Sequence, residues 1–117
     1  VTIVALVAGL AWIAFEINQE LQPDPRERPV IARDLPSNFR DAEIVFKERV
    51  RSMFRIESSE QTLVSELQRQ GFKRQPSSPA LYFEQRSFPC RLVWIVAWKA
   101  DRDRLTAIDP GFTQHCL

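Results

Sequence analysis

The sequence predicts an α+β domain in which two helices pack on a three-stranded antiparallel sheet, in the order α-α-β-β-β. Three observations carry that expectation. Two stretches between residues 38 and 71 repeat apolar side chains every three or four positions, the spacing of a helix face. Residues 90–99 alternate with period two, as a strand does. Prolines stand at the points where the pattern changes, and proline neither continues a helix nor serves a central strand.

The chain has 117 residues, 44% of them hydrophobic, with eight Phe, three Trp and one Tyr. That is enough apolar material for one small core and excludes both disorder throughout and a second folded unit. A formal net charge of +1 gives no electrostatic footprint for nucleic acid.

Residues 1–15 carry no charge and only Thr2 as a polar side chain. As a helix they span about 22 Å, short of a hydrocarbon core of about 30 Å. Glu16 and Glu20 bar an extension at depth. Residues 1–21 are therefore read as a membrane anchor lacking its first turn or as a signal segment, with Gly9 and Ala11 at the −3 and −1 positions of a cleavage site. A buried core helix is the third reading. Both leading readings export the rest of the chain. Arg26, Arg28 and Arg33 argue the other way under the positive-inside rule, but Asp and Glu are interleaved with them.

Residues 22–37 hold Pro23, Pro25, Pro29 and Pro36. They are expected to form an extended spacer, the alternative being a loop packed on the domain through Val30 and Ile31. The globular domain, 38–117, begins at Asn38, a good N-cap. Phe39, Ala42, Phe46, Val50, Met53 and Phe54 form one stripe, predicting a helix over 39–54. Arg49, Arg51 and Arg55 are interleaved with Glu43 and Glu48 and read as a solvated face. Ser58-Ser59-Glu60-Gln61 matches a capping box, and Gly71 with Phe72 fits a Schellman stop, so a second helix is expected over 59–70.

Residues 73–79 read as a loop by composition. A strand over 81–88 ends at Pro89. The next runs over 90–99, with Leu92, Trp94, Val96 and Trp98 on one face and Val93, Ile95 and Ala97 on the other. Residues 101–103 make a turn, a third strand covers 105–108, and Pro110-Gly111 marks a break or bulge.

Facing residues of an antiparallel pair have numbers with a constant sum. A turn centred on Arg102 puts Gln114 opposite Cys90. One bulge at Pro110-Gly111 and a slightly wider turn bring Cys116 there instead, so Cys90 and Cys116 are expected to form a disulfide, which suits an exported protein. The rival is a metal site from Cys90, His115 and Cys116, for which no C-x-x-C provides an anchor. A Cys–His nucleophile lacks a third group to orient the histidine. No Walker A, G-x-S-x-G, H-E-x-x-H or EF-hand pattern occurs, and Asp101, Asp103 and Asp109 read as turn formers. No catalytic residue, metal, cofactor or small-molecule substrate is assigned.

An apolar export segment and spacer lead into a helix ending in Met53-Phe54, then S-S-E-Q-x-L-V-x-x-L-x-x-x-G-F, then strands with a cysteine near the end. Residues 38–117 thereby resemble the BamE/SmpA fold of outer-membrane assembly lipoproteins and the β-lactamase-inhibitor-like modules that share its topology. The chain departs from the assembly lipoproteins in having no acylation cysteine, and in carrying Ile56-Glu57 where they place a glycine before the second helix. The resemblance implies protein binding without chemistry, and membership of a related group of exported proteobacterial envelope proteins.

The leading functional expectation is a non-enzymatic interaction module, membrane-tethered or exported, whose partner is an envelope protein. Trp94, Trp98 and Tyr82 form a candidate aromatic platform; sharing a face with Leu92 and Val96 instead favours the tryptophans as core, which leaves Val93, Ile95 and Ala97 for a partner or the membrane surface. The alternative is an inhibitor or immunity protein plugging a secreted hydrolase through residues 76–79 or 101–103. A metal-binding enzyme is the third reading.

Overall fold

Capping side chains mark where the helices start. In the computed structural model, which describes residues 27–117, α1 runs Phe39–Met53 with Asn38 Oδ1 accepting from Asp41 N at 3.2 Å. Its buried face is Ala42, Phe46 and Val50, continued by Phe54 just past the last turn. Phe39 and Met53, at the two ends of the expected stripe, lie at its rim and remain 40% and 47% exposed. The apolar segment at residues 1–21 and the first part of the spacer lie outside the described residues. No described helix is long and apolar enough to cross a membrane.

Helix α2 covers Glu60–Arg69 and buries Leu63, Val64 and Leu67. Ser59 is its N-cap, with Oγ accepting from Thr62 N at 3.3 Å. The stop is the expected one. Gly71 takes φ +102°, Phe72 N donates to Leu67 O and Gly71 N to Gln68 O, each at 3.0 Å. These two bonds define a Schellman motif, and Leu67 and Phe72 are both buried in the core cluster.

The sheet has four strands, not three, in the order β1-β2-β3-β4. Strand β1 is Lys73–Arg74, β2 Ala80–Ser87, β3 Cys90–Asp101 and β4 Arg104–Cys116, all antiparallel to their neighbours. The element missed in the sequence is β1. Both its side chains are exposed charges, the kind natural sheets place on an edge, so nothing in its composition separates it from a loop. It is held by Lys73 facing Tyr82 and Arg74 facing Leu81, and Gln75 N donates to Ala80 O at 3.0 Å.

Two further expectations need correction. Strand β4 does not end at Ile108; it passes through Pro110 and Gly111 in regular register, opposite Val96 and Ile95. Proline is tolerated there because β4 is an edge strand and the missing amide is not owed to β3. The register shift lies instead between Lys99 and Ala100, where Thr106 has no facing residue. The turn is a two-residue loop, Arg102-Asp103, with φ of +51° and +62°, the signs of a type I′ hairpin. Turn and bulge together give the register that brings Cys90 opposite Cys116.

Residues 27–38 are not all spacer. Pro29, Ile31 and Ala32 are buried, the last two in a 3-10 turn, Val30–Ala32, that docks beside α1 and the end of α2. Gln70 Oε1 accepts from Ile31 N at 3.0 Å, while Arg49 Nη1 donates to the carbonyls of Ile31 and Arg33 and Nη2 to that of Asp34. Arg49 is therefore half-buried and clamps this segment, whereas Arg51 and Arg55 are exposed as expected.

The core lies between the helices and one face of the sheet. An aromatic series crosses it. Phe72, Phe83, Trp94, Phe112 and Phe39 follow one another with ring centroids 6.3, 6.2, 4.9 and 5.1 Å apart, and Trp94 and Phe112 are stacked at 7°. Each such pair adds about 0.5–1.5 kcal/mol beyond area burial.

Candidate functional site

Because side chains alternate along a strand, pairing register decides which residues share a surface. On the helix-covered face, cross-strand rows read Leu81–Val96–Pro110, Phe83–Trp94–Phe112, Gln85–Leu92–Gln114 and Ser87–Cys90–Cys116. On the other face they read Ala80–Ala97–Asp109, Tyr82–Ile95–Gly111, Glu84–Val93–Thr113 and Arg86–Arg91–His115. No described helix covers this second face. Its centre is apolar and half-buried, made by Tyr82, Val93, Ile95 and Ala97, and charged or polar side chains surround it. Gly111 is part of the design: a Cβ there would come within 3.3 Å of Ile95 Cγ2, so its absence lets Ile95 lie toward β4.

The aromatic platform does not form. Trp94 is fully buried and Trp98 is 2% exposed, both on the helix side. Tyr82 faces Ile95 across β2 and β3 and therefore points to the opposite surface. Burying two indoles against Phe112, Val96 and the helices removes far more apolar area from water than a solvated platform would. Of the five residues expected to meet a partner, Tyr82, Val93 and Ile95 are brought together on one open surface, and the two tryptophans are core.

The tryptophans and the buried glutamine leave polar atoms to account for. Trp98 Nε1 donates to Glu60 Oε2 at 2.6 Å, tying β3 to the first turn of α2. Arg28 lies over the Trp94 ring at 5.2 Å and its Nε donates to Gln85 Oε1 at 2.6 Å. Burial pushes the Arg28 guanidinium below its usual range, because desolvation disfavours the charged form. Gln85 Nε2 and Trp94 Nε1 are buried without a hydrogen-bond partner among the described residues.

At the end of the sheet, Cys90 and Cys116 are joined, with Cα atoms 4.0 Å apart. Trp98 N donates to Pro79 O at 3.0 Å, on the β2 side, so the even-numbered amides of β3 turn away from β4. Cys90 and Cys116 are thus a non-hydrogen-bonded pair, the closer of the two antiparallel spacings. His115 follows Arg91 on the opposite face, and a bonded sulfur pair offers no thiolate to a metal. Among the described residues no group of three His, Cys, Asp or Glu side chains is placed to hold an ion. This end also carries a feature that sequence patterning missed. Phe88, in the turn between β2 and β3, is 79% exposed, and its only sequence signal is an aromatic placed directly before Pro89.

The loops assigned to an inhibitor fare differently. Residues 76–79 are exposed. Residues 101–103 are exposed as well, but Asp103 is engaged by α2: Gln61 N and Ser59 Oγ donate to its carboxylate at 3.0 and 2.9 Å, and Glu60 N to its carbonyl at 3.0 Å. No protein-family model, curated protein or solved structure matches the chain.

Proposed function

We propose that this protein is a non-enzymatic interaction module of the bacterial cell envelope, tethered to or exported across the inner membrane, that receives a protein partner on the open face of its sheet. The observation that carries the reading is the half-exposed apolar strip of Tyr82, Val93, Ile95 and Ala97, framed by charge and lying opposite the helices. Interaction surfaces combine such an apolar centre with a polar rim. The envelope location is supported by the uncharged segment at residues 1–15 and by the disulfide, a bond kept in oxidising compartments.

The likeness to the BamE/SmpA fold belongs to the same proposal. Glu57 takes φ +75°, a left-handed backbone, at the place where that fold's lipoproteins carry glycine. The partner is accordingly an envelope protein rather than a metal, nucleic acid or small substrate.

The test is site-specific photo-crosslinking in cells. A photoreactive residue replacing Ile95 is expected to give one or a few discrete adducts. The same residue replacing Ile44, which is 48% exposed on α1, is expected to give none of them. Equal labelling from the two positions would sink the surface assignment. A periplasm-dependent alkaline phosphatase fused after residue 117 is expected to be active, and an inactive fusion would remove the compartment.

A further inference from the structure

A disulfide is opened by a thiolate that attacks one sulfur in line with the S–S bond, so access behind each sulfur decides which is attacked. The Cys90–Cys116 bond runs between β3, an inner strand, and β4, the sheet edge. Behind Cys90 lies β2, with Ser87 directly opposite and the Phe88-Pro89 turn joining them. Behind Cys116 the sheet has ended. Burial follows the same order: Cys116 is exposed and Cys90 only partly so.

The surroundings favour a departing thiolate. Gln114 Nε2 lies 3.4 Å from Cys90 Sγ and 3.5 Å from Cys116 Sγ, a donor poised over both sulfurs. Arg86, Arg91 and His115 stand side by side in one cross-strand row at this end, with Glu84 3.7 Å from Arg91. Arginines facing each other across strands destabilise a sheet, and an electropositive setting lowers a thiol's pKa. The two cysteines, this basic row and exposed Phe88 line one open concavity of about 850 Å³, large enough for a peptide segment carrying a cysteine.

We propose that Cys90–Cys116 is a thiol-exchange site, opened at Cys116 by a protein dithiol, with Cys90 as the leaving group. The attacking thiolate forms a new S–S bond to Cys116 Sγ. The bond to Cys90 breaks, and its electron pair leaves as the Cys90 thiolate beside the Gln114 amide. The second thiol of the dithiol, losing its proton to water, then attacks its own neighbouring sulfur and releases Cys116 as a thiolate. Two electrons pass: the dithiol is oxidised to a disulfide and Cys90 and Cys116 are reduced, each taking up a proton from water. This inference stands apart from the open-face reading, since it concerns the end of the sheet: of the open-face residues it uses only the outermost row, Arg86, Arg91 and His115, and none of Tyr82, Val93, Ile95 or Ala97.

The experiment uses the full oxidised chain and reduced glutathione without denaturant, quenched in acid and mapped by mass spectrometry. The expected product is a mixed disulfide on Cys116 with Cys90 free, formed while amides around Trp94 stay protected from exchange. Adduct on Cys90, or reaction only as fast as global unfolding, overturns the proposal. Gln114 is exposed, so Gln114→Glu is expected to fold normally and to react about threefold more slowly, because a carboxylate beside the leaving sulfur raises its pKa. Gln114→Leu is the uncharged companion and is expected to slow the exchange less. Unchanged rates in both variants overturn the role given to the amide, while the choice of Cys90 as leaving group stands or falls with the site of the adduct.

Discussion

Replacing Asp103 by alanine tests how the second helix is attached to the sheet. Three donors in the first turn of α2 are satisfied by residues outside the helix proper: Glu60 N by Asp103 O, Gln61 N by Asp103 Oδ1 and Thr62 N by Ser59 Oγ. Asp103→Ala removes the carboxylate from Gln61 and from the Ser59 hydroxyl. Loss of a capping acceptor costs about 1 kcal/mol, and loss of a negative charge at a helix N-terminus a further 0.3–1 kcal/mol or so. Asp103 also sits at φ +62°, where alanine is strained by about 1 kcal/mol and aspartate or asparagine less. The expected total is about 2–3 kcal/mol, read as a lower urea midpoint with an unchanged slope. Asp103→Asn keeps an acceptor and the backbone preference and is expected to lose less than about 1 kcal/mol. Asp103→Gly, free of backbone strain, falls between the two. In a cycle with Ser59→Ala the two substitutions are expected to couple by at least about 0.5 kcal/mol. An alanine variant within about 0.5 kcal/mol of wild type would refute the capping argument, and one no worse than the glycine variant would refute the backbone-strain share.

Four other outcomes follow from the same structure. Replacing both Cys90 and Cys116 by serine is expected to cost about 3.5 kcal/mol, the loop-entropy value for their sequence separation of 26, measured by calorimetry with the reduced wild type alongside. Gly71→Ala is expected to lose about 1 kcal/mol or more through its φ of +102° alone, because the added Cβ meets Phe83 no closer than 3.7 Å; Glu57→Gly, at φ +75°, is expected to be neutral or stabilising by a few tenths of a kcal/mol. Hydrogen bonds first from Arg69 and then from Gln70 hold the Glu66 carboxyl down at about 2, so its carbon-detected NMR titration is expected near there. The sign follows: these contacts contribute stability fully present above the ordinary glutamate range and lost as pH falls through about 2, and a Glu66 midpoint near 4 would contradict the geometry.

Elements made by neighbours in sequence were legible before any coordinates. Asn38, Ser59 and Gly71 mark helix ends because a cap is a contact within a few residues. Trp94, Val96 and Trp98 fall on one face because a strand alternates whatever it pairs with, and the disulfide partners emerge from counting back across a hairpin. Where the count erred, in placing the irregularity at Pro110-Gly111, the end register survived because only the total shift matters. The candidate surface was half legible: Val93 and Ile95 were assigned to the face opposite the tryptophans, and Leu92 and Val96 favoured the tryptophans as core, but the side on which Tyr82 lies was fixed only by strand pairing.

What tertiary structure alone decided are the contacts whose partners lie far apart along the chain. Two exposed charges become β1 only because Tyr82 and Leu81 arrive beside them. Pro29 and Ile31 leave the spacer for the core because Arg49 and α1 offer a place to bury them. Asp103 turns from a hairpin residue into a helix cap when α2 is laid against the turn. Tyr82 parts from the tryptophans because pairing with Ile95 sets its side of the sheet. Sequence by itself determined the two helices with their caps, the alternation of β3 and the cysteine pairing, all governed by local geometry and period. The assembled chain decided which surface stays open, since burial is a property of what packs together and not of any one segment.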